Sequence, residues 1–360
     1  MPPRPRANVA SLQPYTPGEQ PSWIDTGRSE RAVIKLNTNE NPYPPSPRVC
    51  EAIANVPSEA LRLYPPPTAS PVRRIAGDLH GLDADHVLAT NGGDELLRML
   101  IHAYCEPGRD RVGLTDPTYS LYAVLAATQG VDITRVARDP GHLAPPSAAD
   151  LATAWNHAGC TLAFLVNPHA PSGRLEPPAF LRELADAFEG LLVIDEAYVD
   201  FADADALPLL HDGRDDVVLL RSLSKGYGLA GLRVGYGLAH PGVIATLDKV
   251  RDSYNLDIIA QVAAAAALRD QAYASDTWQR VRVERSRVAG ELRSRDWAVL
   301  PSATNFLLTA PPADRSAESI YQRLKDADVL VRYFNTPPLD RRLRISIGTP
   351  QQNSRLLELL

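Results

Sequence analysis

The chain has 360 residues, a formal net charge of −6, 44% hydrophobic residues and 22% charged ones. That apolar content excludes a disordered chain, which lacks the surface to offset chain entropy, and the mild acidity argues against a general nucleic-acid binder, which needs a basic face. No run of about 18 apolar residues is present to cross a membrane, the N-terminus MPPRPRANVA has no apolar signal core, and Cys50, Cys105 and Cys160 lie too far apart for a zinc site. These features predict a cytoplasmic enzyme of two or three domains with no metal and no nucleic-acid or membrane partner.

Residues 1–47 are rich in proline and polar residues around one apolar stretch, Ala32 to Leu36. Turn-forming residues at this density predict an arm that wraps another surface. Helical spacing runs over 94–108 and ends at Pro-Gly, a short strand follows at 111–117, a second helix spans 118–130, and VDITRVA is a strand. The runs 161–168, 191–198 and 217–224 are almost continuously apolar, which is the signature of parallel strands buried on both faces. A helical stretch over 178–189 separates the first two, so the order is strand, helix, strand. Past about residue 240 the pattern changes to two long helical stretches, 242–270 and 272–295, and then to short strands with a helix over 316–326. The expected fold is α/β: a mostly parallel central sheet with helices on both faces, plus a smaller α+β domain. We expect residues 48–245 to form the large domain, 246–360 the small one, and 1–47 to join the small domain.

In open α/β sheets, ligands sit beyond the carboxyl ends of the strands. Three successive apolar runs end there in Asn167, Asp195 with Tyr198 close by, and Lys225. A lone charged residue at a strand end is usually a solvated cap. The arrangement says more than each residue does, because a lysine beside an aspartate in a crevice suits a Schiff-base amine and its counter-acid. Pyridoxal phosphate needs that amine, an anion to keep its ring nitrogen protonated, a donor to its ring hydroxyl and a phosphate cradle. Asp195 suits the second task and Tyr198 the third. Gly92 and Gly93, followed by Asp94, open a helix whose free N–H groups suit the fourth, and Ser222, Ser224 and Arg233 flank the lysine. The glycines of Gly226 to Gly231 also fit the dinucleotide fingerprint G-x-G-x-x-G, but that motif needs a helix after it. LRVGYGLA (232–239) reads as a strand, so a nicotinamide-dependent dehydrogenase is only a remote alternative.

At this point a resemblance is clear. Residues 222–235, SLSKGYGLAGLRVG, resemble the lysine motif of class I/II aminotransferases. LQPYTPGEQ (12–20), LNTNENPYPPSP (36–47), VIDEAYVDF (193–201) and residues 330–350 are similar to the histidinol-phosphate aminotransferase branch. The resemblance implies a type I aminotransferase fold, pyridoxal 5'-phosphate as cofactor, and a homodimer with shared active sites. It implies L-histidinol phosphate and 2-oxoglutarate as the anionic amino donor and the 2-oxo acid. A phosphothreonine decarboxylase and an aromatic or broad-range aminotransferase are the rivals within the fold. By the same resemblance Lys225 is the catalytic lysine, Asp195 the pyridinium partner, Tyr198 the donor to the ring oxygen and Tyr119 the ring that stacks on the cofactor. Gly93, Asp94, Ser222, Ser224 and Arg233 match the phosphate cradle, and Tyr64 matches a tyrosine reaching the neighbouring subunit's cofactor. Arg344 matches a carboxylate clamp, a task suited to a planar guanidinium, and Arg332 a residue near the substrate phosphate. One departure stands out. Many relatives carry a second asparagine where this chain has Ala170, which cannot hydrogen-bond the ring oxygen. Asn167 or His169 takes that role, or Tyr198 acts alone.

Overall fold

The computed structural model describes residues 3–15, 18–20 and 33–360, so part of the expected arm lies outside the described residues. In chain order the strands are β1 (Ile34–Leu36), β2 (Val87–Thr90), β3 (Arg111–Asp116), β4 (Asp132–Ala137), β5 (Cys160–Val166), β6 (Leu191–Asp195), β7 (Val217–Ser222) and β8 (Gly235–Ala239). They are followed by β9 (Ala298–Val299), β10 (Phe306–Ala310), β11 (Val329–Tyr333) and β12 (Leu343–Ser346).

The large sheet has the order β2-β8-β7-β6-β5-β3-β4. Every neighbouring pair is parallel except those of β8, which runs antiparallel to β2 and β7. Successive side chains of a strand point to opposite faces. In β5, Leu162, Phe164 and Val166 therefore enter one core while Ala163 and Leu165 enter the other. Both faces are covered by helices, which explains the uninterrupted apolar runs. Helix Gly93–Tyr104 buries Leu96, Leu97, Leu100 and Ile101 against one face. Helix Pro178–Ala187 buries Leu181 and Leu184 against the other.

The small sheet has the order β1-β11-β12-β10-β9. Its first strand comes from the arm, with Ile34 opposite Val329 and Leu36 opposite Val331 in a parallel pair. Val288, Leu292, Leu307, Leu324, Ile345 and Leu356 fill its core.

Two expectations need correction. The helical stretch 242–270 is broken into Pro241–Asp248 and Ile258–Arg269, and the Asp257 side chain caps the second piece by accepting from the Ala260 N–H. The domain change also comes later than 245. Ala260, Ala263, Ala264, Ala267 and Leu268 share a core with Val49 and Val72 of the large domain. Their small side chains let this helix lie close against its neighbours, a partnership that composition does not reveal. The transition falls within helix Gln271–Arg293, where Ala274 still packs in the large core and Val281 and Val288 pack in the small one. Among the described residues no helix is long and apolar enough to cross a membrane.

Candidate active site

Lys225 follows β7, at the carboxyl edge of the large sheet. Its Nζ donates to the Thr38 carbonyl at 2.8 Å. Burial, opposed by Glu40 and reinforced by Arg344, pushes the amine from 10.5 down to about 8. Such an amine carries both its charged and its neutral form near neutral pH, as a nucleophile and proton carrier must.

Asp195 ends β6, one strand away, and is 5% exposed. Its Oδ2 accepts from the Tyr122 phenol at 2.6 Å and its Oδ1 from the Ala197 N–H at 3.0 Å. Burial still raises the carboxyl from 3.8 to about 6, and Asp94 adds to the rise. Tyr122 is fully buried and stacks on Phe164 at 4.9 Å between centroids. Sequence reasoning missed this tyrosine. The available signal was its place one helical turn after Tyr119, a polar tip on an apolar face.

Tyr119 sets its ring edge-on to Tyr122 at 5.4 Å and directs its hydroxyl to Asp94 Oδ1 at 3.4 Å. Tyr15 of the arm meets the same ring at 6.0 Å and is a second residue the sequence did not single out. Tyr198 packs edge-on against Phe306 at 5.2 Å, and its hydroxyl accepts from Asn39 Nδ2 at 3.0 Å.

The cradle is built from backbone. Gly92 has φ 76° and ψ 169°, a region essentially confined to glycine, and helix Gly93–Tyr104 starts after it without a side-chain cap. Its first-turn N–H groups, those of Gly93 and Asp94 among them, therefore have no partner within the helix. A Cβ on Gly92 would lie 2.6 Å from Arg233 Nη2. Arg233 donates to Asp94 Oδ2 at 3.3 Å and to Ser224 Oγ at 3.4 Å, while Ser222 Oγ accepts from the Ser224 N–H at 3.1 Å.

Arg332 and Arg344 lie directly opposite each other on β11 and β12. Arg344 Nη2 donates to the Asn37 carbonyl at 3.0 Å, and its guanidinium stands 5.3 Å from the Phe306 ring and 5.6 Å from the Phe334 ring. Its buried Nε has no hydrogen-bond partner, and burial lowers its pKa. Two arginines at paired positions, one with an unmet N–H, are of a kind suited to an anion.

The polar segment 37–41 joins several of these parts. Asn37 takes Arg344, Thr38 takes Lys225, Asn39 holds Tyr198, and Asn41 Nδ2 donates to the Gly226 carbonyl at 2.8 Å.

Two expected site residues are engaged in other bonds. Asn167 clamps its own loop: Oδ1 accepts from the Glu176 N–H at 2.8 Å and Nδ2 donates to the Glu176 carbonyl at 3.2 Å. Its backbone also serves the site, donating to the Asp195 carbonyl at 2.9 Å. His169 is equally committed, with Nδ1 on Ser172 Oγ at 2.7 Å and Nε2 on the Pro117 carbonyl at 3.0 Å. With both ring nitrogens engaged, His169 does not stand in for the asparagine absent at Ala170, while the loop bonds of Asn167 use one of its two Nδ2 protons. Tyr64 is 81% exposed and stacks on Tyr254 at 4.4 Å, outside this chain's own crevice. The stretch after Gly231 is a short turn and then strand β8, not a helix, so the dinucleotide reading falls.

A desolvated amine, a buried carboxylate on the next strand, a phenol and an uncapped helix start beside a glycine that must stay bare are the parts pyridoxal phosphate requires. The residues present fit that cofactor.

Comparison with known proteins agrees. The family described as aminotransferase class I and II matches residues 31–360. Histidinol-phosphate aminotransferase 1 of Nostoc sp. is 44% identical over 355 residues, covering 99% of this chain and 96% of the relative. Histidinol-phosphate aminotransferase of Syntrophotalea carbinolica is 42% identical, covering 99% and 98%. The crystal structure of histidinol-phosphate aminotransferase from Sinorhizobium meliloti in complex with pyridoxal-5'-phosphate superposes with a TM-score of 0.89 at 28% identity, covering 99% of this chain and 96% of that one. With this sheet, this lysine and these relatives, the chain belongs to the class I and II aminotransferase family.

Proposed function

We propose that this protein is a cytoplasmic, pyridoxal-phosphate-dependent transaminase that converts L-histidinol phosphate and 2-oxoglutarate to imidazole acetol phosphate and L-glutamate, a step of histidine biosynthesis. The observation that supports the reading is that neighbouring strands β6 and β7 lead to Asp195 and Lys225 at one sheet edge, with Arg344, opposite Arg332, near enough to lower the pKa of the Lys225 amine.

Lys225, Asp195, Tyr198 and Tyr119 would hold the cofactor ring, and Gly93, Asp94, Ser222, Ser224 and Arg233 its phosphate. When bound, pyridoxal phosphate supplies an electron sink that makes the substrate's α-hydrogen acidic. Asp195 keeps a proton on the ring nitrogen by pairing its buried charge with it. Lys225, with its amine near 8, takes the proton from the substrate's α-carbon in its neutral form and returns it in its charged form. Arg344 and Arg332 bind the anionic end of each substrate, phosphate for one and carboxylate for the other. Phe306 and Phe334 beside these guanidiniums keep water from the anion and strengthen the pairing. Tyr64 stands exposed beside Leu61 and Leu63, an apolar patch suited to a second copy of the chain, and serves the other copy's site in a homodimer.

The test is an assay with histidinol phosphate and 2-oxoglutarate. Glutamate forms, and borohydride abolishes a visible absorption band together with turnover. Carbon dioxide release from phosphothreonine, without glutamate from histidinol phosphate, would overturn the reading.

A further inference from the structure

Ala170 cannot make one of the ring-oxygen contacts, and His169 is spent elsewhere. We propose that the arm makes good the loss: Asn39 orients the Tyr198 phenol so that its proton is directed at the cofactor's ring oxygen. The proposal rests on the cofactor reading above, and it makes Asn39 a positioning residue rather than a catalytic one.

The directions of the protons in this chain of contacts follow from the orientation of the Asn39 amide, whose oxygen faces Ser346 and whose nitrogen faces Tyr198. Asn39 is 1% exposed and sits at φ 59°, a left-handed conformation that asparagine tolerates. Its backbone N–H donates to Ser346 Oγ at 3.0 Å. The Ser346 hydroxyl then has one proton to give, and it gives it to Asn39 Oδ1 at 2.9 Å. With Oδ1 taken, the amide end that faces Tyr198 at 3.0 Å is the nitrogen. An amide nitrogen only donates, so the phenol oxygen accepts, and the phenol's own proton is left for another partner. Accepting a hydrogen bond also polarises the phenol O–H and makes it a stronger donor. Asn305 Nδ2 holds the Asn39 carbonyl at 2.9 Å and fixes the backbone beneath this relay. Ala170 packs in the same apolar cluster as Tyr198, with no polar atom to compete for the phenol. A side chain 131 positions upstream of Ala170 thus does by orientation what an asparagine in the strand-end loop would do by contact.

Asn39→Asp tests this. The variant keeps the size of the side chain and tolerates the left-handed backbone, but a carboxylate only accepts, so the Tyr198 proton turns away from the site. The readout is the pH at which the visible band of the lysine-bound cofactor changes, taken on loaded protein without substrate. A donor to the ring oxygen lowers that midpoint. Its loss should raise the midpoint by about half to one pH unit, the size of one ordinary hydrogen bond. Tyr198→Phe should raise it similarly, and Asn39→Asp should add nothing in the Tyr198→Phe background. An unchanged midpoint in Asn39→Asp overturns the proposal. So does a shift of the same size with Phe at 198, because added negative charge alone would produce that. A wild-type protein with no pH-dependent visible band would strike down the cofactor reading instead.

Discussion

A carboxylate buried for chemistry should weaken the fold that carries it, and Asp195 allows the effect to be worked out. In the cofactor-free protein its carboxyl rises from 3.8 to about 6, so the folded state holds this proton more tightly than the unfolded chain does. Below 3.8 both states are protonated and nothing is lost. Between there and about 6 the unfolded chain releases its proton first, and stability falls as pH rises. Above about 6 the loss is complete, and at about 1.4 kcal/mol per pH unit it amounts to about 3 kcal/mol. Asparagine at this position escapes the loss but strands the buried Tyr122 phenol proton, which Asp195 now accepts and whose isolation costs about 1–3 kcal/mol. Its oxygen can take the Ala197 N–H and its nitrogen can donate to the Tyr122 oxygen, the two partners Asp195 now has. Asp195→Asn should therefore gain about 1.5 kcal/mol of stability relative to wild type between pH 5 and pH 8 in the cofactor-free protein, while abolishing turnover. Urea melts of both proteins at the two pH values measure the difference. A difference between the two proteins that is the same at both pH values would refute the argument from burial.

Two other outcomes follow from the geometry. Gly92→Ala forces a side chain into a backbone region reserved for glycine and sets its Cβ 2.6 Å from Arg233 Nη2. Strain of about 1–3 kcal/mol should weaken cofactor binding by about fivefold to a hundredfold, and an unchanged dissociation constant would show that the cradle lies elsewhere. Tyr64→Ala and Lys225→Ala should each be defective alone and should regain activity when the two are mixed and allowed to exchange subunits; no recovery would mean that the sites are not shared.

The legible and the hidden parts of this site differ in kind. Asp195 and Lys225 stand out because each is a polar residue at the end of an almost unbroken apolar run, and parallel strands put such ends on one edge. Arg233 and the paired serines were legible for the same reason, being local to the lysine. Tyr122 was not, since its partner is 73 residues away and a tyrosine on a helical apolar face usually reads as core. Asn39 was harder still. It sits in a turn-rich segment where every neighbour is polar, and its role depends on Tyr198 and Ser346, 159 and 307 residues away. The late domain change has a similar cause. The Ala-rich helix Ile258–Arg269 looks the same in sequence whichever core receives it, and the choice rests on helices Pro47–Ala54 and Ser70–His80, which lie close to it only after folding.

The parallel pairing of β1 with β11 has a consequence for the order in which this protein comes into being. A nascent chain emerges from its N-terminus, so Ile34–Leu36 must wait for Val329–Val331 before it has a strand to lie against. Until then the segment that reaches Lys225, Tyr198 and Gly226 has those contacts but no strand pairing, and Arg344 has not yet been made. The large sheet, whose strands lie between residues 87 and 239, can close long before. Loop closure over so great a separation is slow compared with local pairing. A chain that stops short of β11 therefore carries the large sheet and Lys225 without the β1–β11 pairing and without Arg344.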